Sequence, residues 1–541
     1  MSEPAQQRGR PSAPAPLAEP MCPSALGRPP LDPDGPAQHC AQQFRAASTA
    51  AERVMAMDRL TAQDLMSLWP DDLGWPMDIG ALAVLDGARL LDADGHFRLE
   101  MAREAIAQHL PRAPRLRQVL YVPRPGLGGP LWVDAPSFEL DEHVHVAALP
   151  APAGEAQLLA AVEQLCSRRL DRSRPLWQIW FLPGLPQRRV GMYIKLHHTV
   201  ADGRAGVATL GALLDLEPDA PLPPAPTWTP APLPSNRELL QDSLERRLRA
   251  ARSALRTLAR PRATAARVRR AWQPAMVGIL DQRAPRTSLN RRIGAHRRLA
   301  VVRTRLDLAK QIAHAHGGKV NDALLSAVAG GLRELLLSRG EPVEGVVLKA
   351  FVPVSLHHED VGRERGNQDA MLIAPLPIGE PDAGRRLRLI ARETAELKGI
   401  THSPGVNALP IGWLQRTAWR LAPHQRYMNV SITNVPGPPK PLFMAGAPLL
   451  EVVPIVPISA NLTLGVGALS YAGLFTVIAV ADRDACPDVE VFAHGVRASL
   501  QELLAASIPA GRSPGTPASA AHDKATVMTR PEEDGHSLRP G

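Results

Sequence analysis

The chain has 541 residues, 45% hydrophobic and 21% charged, with a formal net charge of +9 that comes from arginine more than lysine. That length suits two sizeable cores plus tails, and the positive balance points to acidic partners such as anionic lipid, a phosphorylated ligand or nucleic acid. Cys22, Cys40, Cys166 and Cys486 are too scattered for a zinc motif or a disulfide framework, which fits a reducing, cytoplasmic setting.

Residues 1–54 are rich in Pro and Ala without periodicity and read as a disordered extension; they lack the apolar core of a secretory signal. A first domain is expected over 55–220. Thr61 caps a short helix in MDRLTAQDLMSLW, and IGALAVLDG, PLWVD and LWQIWFL read as strands between the helices EMAREAIAQHL and EAQLLAAVEQLCSRRL. In RVGMYIKL, Met192, Ile194 and Leu196 alternate with Tyr193 and Lys195, the period of a strand with one buried face.

Residues 221–295 combine a proline-rich linker with a basic amphipathic helix. Leu240, Leu244, Leu248, Ala251, Leu255 and Leu258 form one apolar stripe, and eleven arginines face three acids between Arg237 and Arg270. The same periodicity serves two outcomes: a helix lying on an anionic membrane, or a connecting helix that packs its leucines on the protein. A second mixed domain is expected over 296–510, with a disordered tail over 511–541. The uncharged run 452–481 has the length of a membrane span, but Pro454, Pro457 and Asn461 interrupt it and the remainder alternates around SYAG, predicting a buried β-hairpin and no transmembrane helix.

The chemistry concentrates in KLHHTVADG, residues 195–203, at the end of the alternating strand. Adjacent strand residues diverge, so one of His197 and His198 can face a cleft while the other is held within the fold. Asp202 and Gly203 read as a tight turn. A positioned imidazole can take a proton from an alcohol, which suits direct acyl transfer. The only G-x-S-x-G match, at Gly511–Gly515, lies in the tail without a strand before it, and no metal-binding HExxH spacing occurs. A metal site and a purely structural histidine pair are the competing readings.

His197, His198, Asp202 and Gly203 form H-H-x-x-x-D-G, which resembles the signature of the acyltransferase superfamily related to chloramphenicol acetyltransferase and peptide-synthetase condensation domains. Pro175-Leu176-Trp177, Asn321-Asp322, FVPVSL (351–356), Gly366-Asn367, NVPGP (434–438) and SYAG (470–473) narrow the resemblance to the bacterial wax ester synthase/diacylglycerol acyltransferase family over about residues 57–505.

The resemblance implies an α/β (α+β) fold: two chloramphenicol-acetyltransferase-like mixed-sheet domains joined by a long helical linker, with the active site at their interface. It also implies His198 as general base, His197 as support for the loop, and Asp202 pairing with an arginine. Asn321 is expected near the thioester carbonyl or as a helix N-cap. Asp322 is grouped with it for substrate binding, and Pro175, Leu176 and Trp177 with a substrate channel or with a core strand. No cofactor or metal is expected; acyl-CoA is a substrate, and diacylglycerol or a long-chain alcohol the acceptor. Peripheral contact with an anionic membrane or lipid droplet is the partner expectation, and nucleic acid is not. Two alternatives stand beside it: an acyltransferase using a carrier-bound donor or a secondary-metabolite acceptor, and a non-enzymatic lipid-surface protein.

Overall fold

The computed structural model describes residues 57–201, 203–220, 228–258, 283–355, 369–400 and 419–507; the expected extension, tail and Gly366-Asn367 pair lie outside them. All elements below belong to the unit that begins at Asp58. Helix α1 (Ala62–Asp72) starts at Thr61, whose hydroxyl accepts the Asp64 N–H while the Asp64 carboxylate accepts the Thr61 N–H. That reciprocal pair satisfies two donors a helix start leaves open.

From there strand and helix alternate: β1 (Asp78–Asp86), α2 (Leu99–His109), β2 (Gln118–Tyr121), β3 (Leu131–Asp134), β4 (Val144–Val146), α3 (Glu155–Ser167), β5 (Trp177–Leu185), β6 (Arg189–His197), α4 (Gly203–Ala212) and α5 (Asn236–Leu258). The second half holds β7 (Arg297–Arg305), α6 (Leu306–Ala315), α7 (Val320–Ser338), β8 (Val347–Ser355), β9 (Asp369–Pro377), α8 (Ala383–Ile400), β10 (Val430–Pro436), β11 (Phe443–Met444), β12 (Ala447–Ile455), β13 (Leu464–Tyr471), β14 (Leu474–Asp482) and α9 (Val489–Ala506).

Two six-stranded sheets result, ordered β11-β12-β1-β6-β5-β4 and β7-β14-β13-β10-β8-β9. Chain order does not divide them. β11 and β12 come from the second half yet complete the first sheet, where β12 pairs antiparallel with β1 from Gly80↔Ile455 to Leu85↔Leu449. The apolar run 452–481 is therefore divided: residues 452–455 belong to the first sheet, and only β13 and β14 form the expected hairpin. Its turn, Ala472-Gly473, has positive φ at both positions (45° and 85°), the twist that a two-residue hairpin requires. Among the described residues no helix is long and apolar enough to cross a membrane.

The sheets pack face to face. Leu82, Tyr193, Val453 and Ile455 of the first meet Leu299, Val301, Ile478 and Val480 of the second in one buried cluster. β6 is consequently buried on both faces rather than the one its alternation predicts. Met192, Ile194 and Leu196 pack with β5 and α2, whereas Tyr193 and Lys195 are buried with their polar tips paired.

On the outer face of the second sheet, α7 and α9 approach through glycine. A Cβ on Gly331 would lie 2.7 Å from the Phe492 carbonyl oxygen and 2.6 Å from Val496 Cγ2. Glycine inside a helix costs about 1 kcal/mol relative to alanine, so the close approach is the reason for it. Gly331→Ala is expected to lower stability by about 1–3 kcal/mol in a urea melt, an overpacking cost that exceeds the gain in helix propensity; an equal or higher midpoint would show that the helices can part freely.

Candidate active site

His197 is the last residue of β6, and His198 opens a turn that the Val200 N–H closes onto the His197 carbonyl at 2.8 Å. Backbone bonds from both neighbouring strands hold this turn. The His197 N–H donates to Leu176 O (3.0 Å) just before β5, and the His198 N–H donates to Met77 O (2.9 Å) just before β1.

The side chain of His197 is 2% exposed and occupied at both nitrogens. Nδ1 accepts the Thr199 backbone N–H (3.2 Å) and lies 2.7 Å from Thr199 Oγ1, so the Nε2–H points to Asp71 Oδ2 at 3.1 Å. The neighbours thus select the neutral Nε2–H tautomer. Asp71 Oδ1 in turn accepts the Met77 N–H at 2.8 Å. Asp71, Met77, His198 and His197 therefore close a ring of hydrogen bonds around the turn.

Asp71 and Asp72 end α1, where the helix dipole disfavours a carboxylate. Arg172 offsets this by donating to Asp71 (3.1 Å), Asp72 (2.9 Å) and Leu68 O (3.3 Å). Burial alone would raise the Asp71 carboxyl; the hydrogen bonds from His197, the Met77 amide and Arg172 outweigh it and hold the group below the usual carboxylate range. Under the same turn, Lys195 pairs with Asp78 at 2.9 Å and spends its remaining donors on Leu165 O and Arg168 O at the C-terminal end of α3. Burial pushes the Asp78 carboxyl up despite the pull of Lys195.

The divergence expected of the two histidines holds: His197 is locked inside, and His198 is half-buried at the start of the turn. Asp202 lies outside the described residues, and Gly203 begins α4, which packs on β10. Pro175, Leu176 and Trp177 are buried; Trp177, 1% exposed, stacks on His143 at 4.6 Å and donates its indole N–H to Leu116 O. This is the core-strand alternative, and the channel expectation gains no exposed surface from it.

Asp322 is buried at the start of α7, where its oxygens accept the Lys319 N–H (2.8 Å) and the Thr394 hydroxyl (2.9 Å) and close the helix cap. Asn321 is not the N-cap, because α7 starts one residue earlier and Lys319 occupies that position. Its Oδ1 instead faces Asn434 Nδ2 at 3.5 Å, bringing the ND and NVPGP segments together. Tyr471 of SYAG accepts the Leu442 N–H (2.8 Å) and donates to Leu449 O (3.0 Å), clasping the segment that delivers β12. Asp71 and Thr199 carry no signal of a site role in the sequence, whereas Arg172 lies three residues before Pro175-Leu176-Trp177.

Because folding lowers the Asp71 pKa, its contribution to stability is fully present above the ordinary carboxylate pKa of about 4 and is lost as pH falls through the folded value. Asp71→Asn is therefore expected to be less stable than the wild type by about 1–3 kcal/mol at neutral pH, with the gap narrowing below about pH 4. Denaturant melts across pH check this, and a gap independent of pH would show that the carboxylate charge is not what holds His197.

Residues 60–324 match the wax ester synthase/diacylglycerol acyltransferase catalytic domain, and residues 365–504 match the C-terminal domain of the same family. A probable diacylglycerol O-acyltransferase, tgs1, of Mycobacterium tuberculosis is 30% identical over 473 residues, covering 83% of this chain and 96% of its own. A putative diacylglycerol O-acyltransferase of the same species is 32% identical over 472 residues, 83% of this chain and 98% of its own. Among solved structures, the wax ester synthase/diacylglycerol acyltransferase of Marinobacter aquaeolei VT8 superposes with a TM-score of 0.59 at 27% identity, covering 83% of this chain and all of that one. The starter condensation domain of rhizomide synthetase shares the fold at 15% identity and a TM-score of 0.52, over 84% of this chain and 96% of its own. With both family domains in order along one chain and the two histidines pinned at the end of β6, this protein belongs to the wax ester synthase/diacylglycerol acyltransferase family.

Proposed function

We propose that the protein transfers a long-chain fatty acyl group from acyl-CoA to the hydroxyl of diacylglycerol, of a long-chain alcohol, or of both, with His198 as general base. The observation that carries this is the division of labour at the turn. His197 has both ring nitrogens committed to Thr199 and Asp71, so the base is assigned to its neighbour, whose backbone the same hydrogen-bond ring fixes.

In the proposed step His198 takes the alcohol proton as the oxygen attacks the thioester carbonyl. The new C–O bond forms, the C–S bond breaks, and the proton passes to the departing CoA thiolate. No acyl-enzyme is needed. A rigid backbone suits this chemistry, since misplacing a reacting group by about 1 Å can cost about 10² in rate. Asn321 and Asn434 meet on the second sheet's side of the fold, where α4 also packs on β10, and we assign them to shaping the far wall of the site.

We further propose peripheral contact with an anionic membrane or lipid inclusion through α5. Its stripe is open: Leu240, Leu244, Leu248 and Leu255 are 44%, 48%, 56% and 66% exposed. The exposure of these leucines supports the surface-bound outcome of the periodicity over the packed connecting helix. The buried face of α5 is Leu239, Asp242 and Ser243 instead.

Release of CoA from palmitoyl-CoA, measured with dioleoylglycerol and hexadecanol separately, tests the reaction. Acceptor-dependent release is expected from the wild type and a drop of about 10² to 10⁴ from His198→Ala with its melting curve unchanged. Wild-type turnover in that variant would remove His198 from the role.

A further inference from the structure

α5 borders a cavity of about 350 Å³ lined by Arg59, Gly126, Gly128, Gly129, Ser243, Arg246 and Arg247. Arg59 builds its wall. The guanidinium pairs with Asp242 at 2.5 Å and donates to the carbonyls of Leu127, Gly129 and Leu239, strapping the 126–129 loop to the helix. Gly128 has a φ of +99°, and a Cβ there would fall 2.5 Å from Arg59 Nη1, so this wall admits only glycine.

Two features of the cavity are unspent. Ser243 lines the cavity and its hydroxyl makes no hydrogen bond to another described residue, which leaves it to donate into that space. Three guanidinium groups line the space, and two of them, those of Arg59 and Arg246, pair with Asp242. Arg247 forms no ion pair with a described residue. A hydroxyl donor open to the cavity beside the Arg247 guanidinium is suited to a compact oxyanion such as phosphate.

Its position names the source. Ser243 and Arg247 are four apart and share one row of the helix, and the next row is Leu240, Leu244 and Leu248, all exposed. A free anion has no use for the leucines, whereas a phospholipid offers its phosphate to the cavity and its acyl region to the stripe in a single pose. We infer that this cavity is a binding site for the headgroup phosphate of an anionic phospholipid, and that it seats α5 on the lipid surface. The inference rests on the proposed lipid contact of α5 and not on the acyl-transfer chemistry.

The test is co-sedimentation of the full chain with phosphatidylglycerol–phosphatidylcholine vesicles in the absence of acyl donor, so that failure here is separate from failure of the enzymatic reading. The variants are Arg247→Gln, Ser243→Ala, Leu244→Ser with Leu248→Ser, and Arg252→Gln as a helix arginine outside the cavity. Arg247→Gln combined with Ser243→Ala is expected to weaken partition by more than about fivefold, the effect of one arginine near an anionic surface, while Arg252→Gln stays within that factor. Arg247→Lys should recover part of the loss, and the paired leucine variant should lose binding to every vesicle. Equal losses from Arg247→Gln and Arg252→Gln would reduce the cavity to general electrostatics and overturn the inference. Unchanged vesicle binding with a raised KM for acyl-CoA in Arg247→Gln would overturn it in favour of the CoA phosphates, and unchanged behaviour in both assays would overturn it outright.

Discussion

β1 is hydrogen-bonded along both edges, to β6 on one side and to β12 on the other, and the site depends on that double pairing. The β6 edge sets Asp78 opposite His197 and brings Met77 O to the His198 amide. The β12 edge ties the same strand to a segment almost four hundred residues further along, and β12 rests on β13 and β14 of the second sheet. Fixing β1 thus fixes the histidine turn relative to both sheets at once. The histidines sit on a strand end rather than a free loop, which is where a scaffold can hold a group most closely.

Electrostatics finishes what the pairing begins. Asp71–His197 is a buried hydrogen bond and Asp78–Lys195 a buried ion pair, and such buried polar pairs are poor sources of net stability because desolvation offsets most of their attraction. Their value is geometric. Each has its remaining donors or acceptors consumed by named backbone groups: Met77 N–H on Asp71, and Leu165 O and Arg168 O on Lys195. A displaced ring or ammonium would leave those groups unpaired in a low-dielectric interior, so alternative arrangements of the turn are costly.

The legible part of this protein was local. Period-two alternation found β6, the Thr61 cap found α1, and adjacency in H-H-x-x-x-D-G showed that the two imidazoles diverge before any contact was known. What stayed hidden was long-range. Asp71 lies 126 residues from His197, and nothing at the end of an amphipathic helix marks a carboxylate as the partner of a distant imidazole. The transfer of β12 into the first sheet was invisible for the same reason: its alternation shows that it is a strand but not which edge it joins. Lys195 misled in the opposite direction, since a lysine in an alternating strand reads as solvent-facing, and only the Asp78 carboxylate and two carbonyls near the end of α3 make its burial tolerable.

α5 shows how one periodicity can carry two meanings. Its leucines recur at the spacing that usually buries a helix, yet the protein holds α5 by a different row, in which Asp242 bridges Arg59 and Arg246. That anchorage is ionic and narrow. It leaves the apolar row outward and six arginines distributed against three acids over the helix. A helix fastened by a salt-linked edge tolerates an apolar face in water poorly, because burying each leucine elsewhere would be worth about 1.5–3 kcal/mol. The proposed lipid contact would resolve this, because an outward row that meets a second apolar phase no longer faces water.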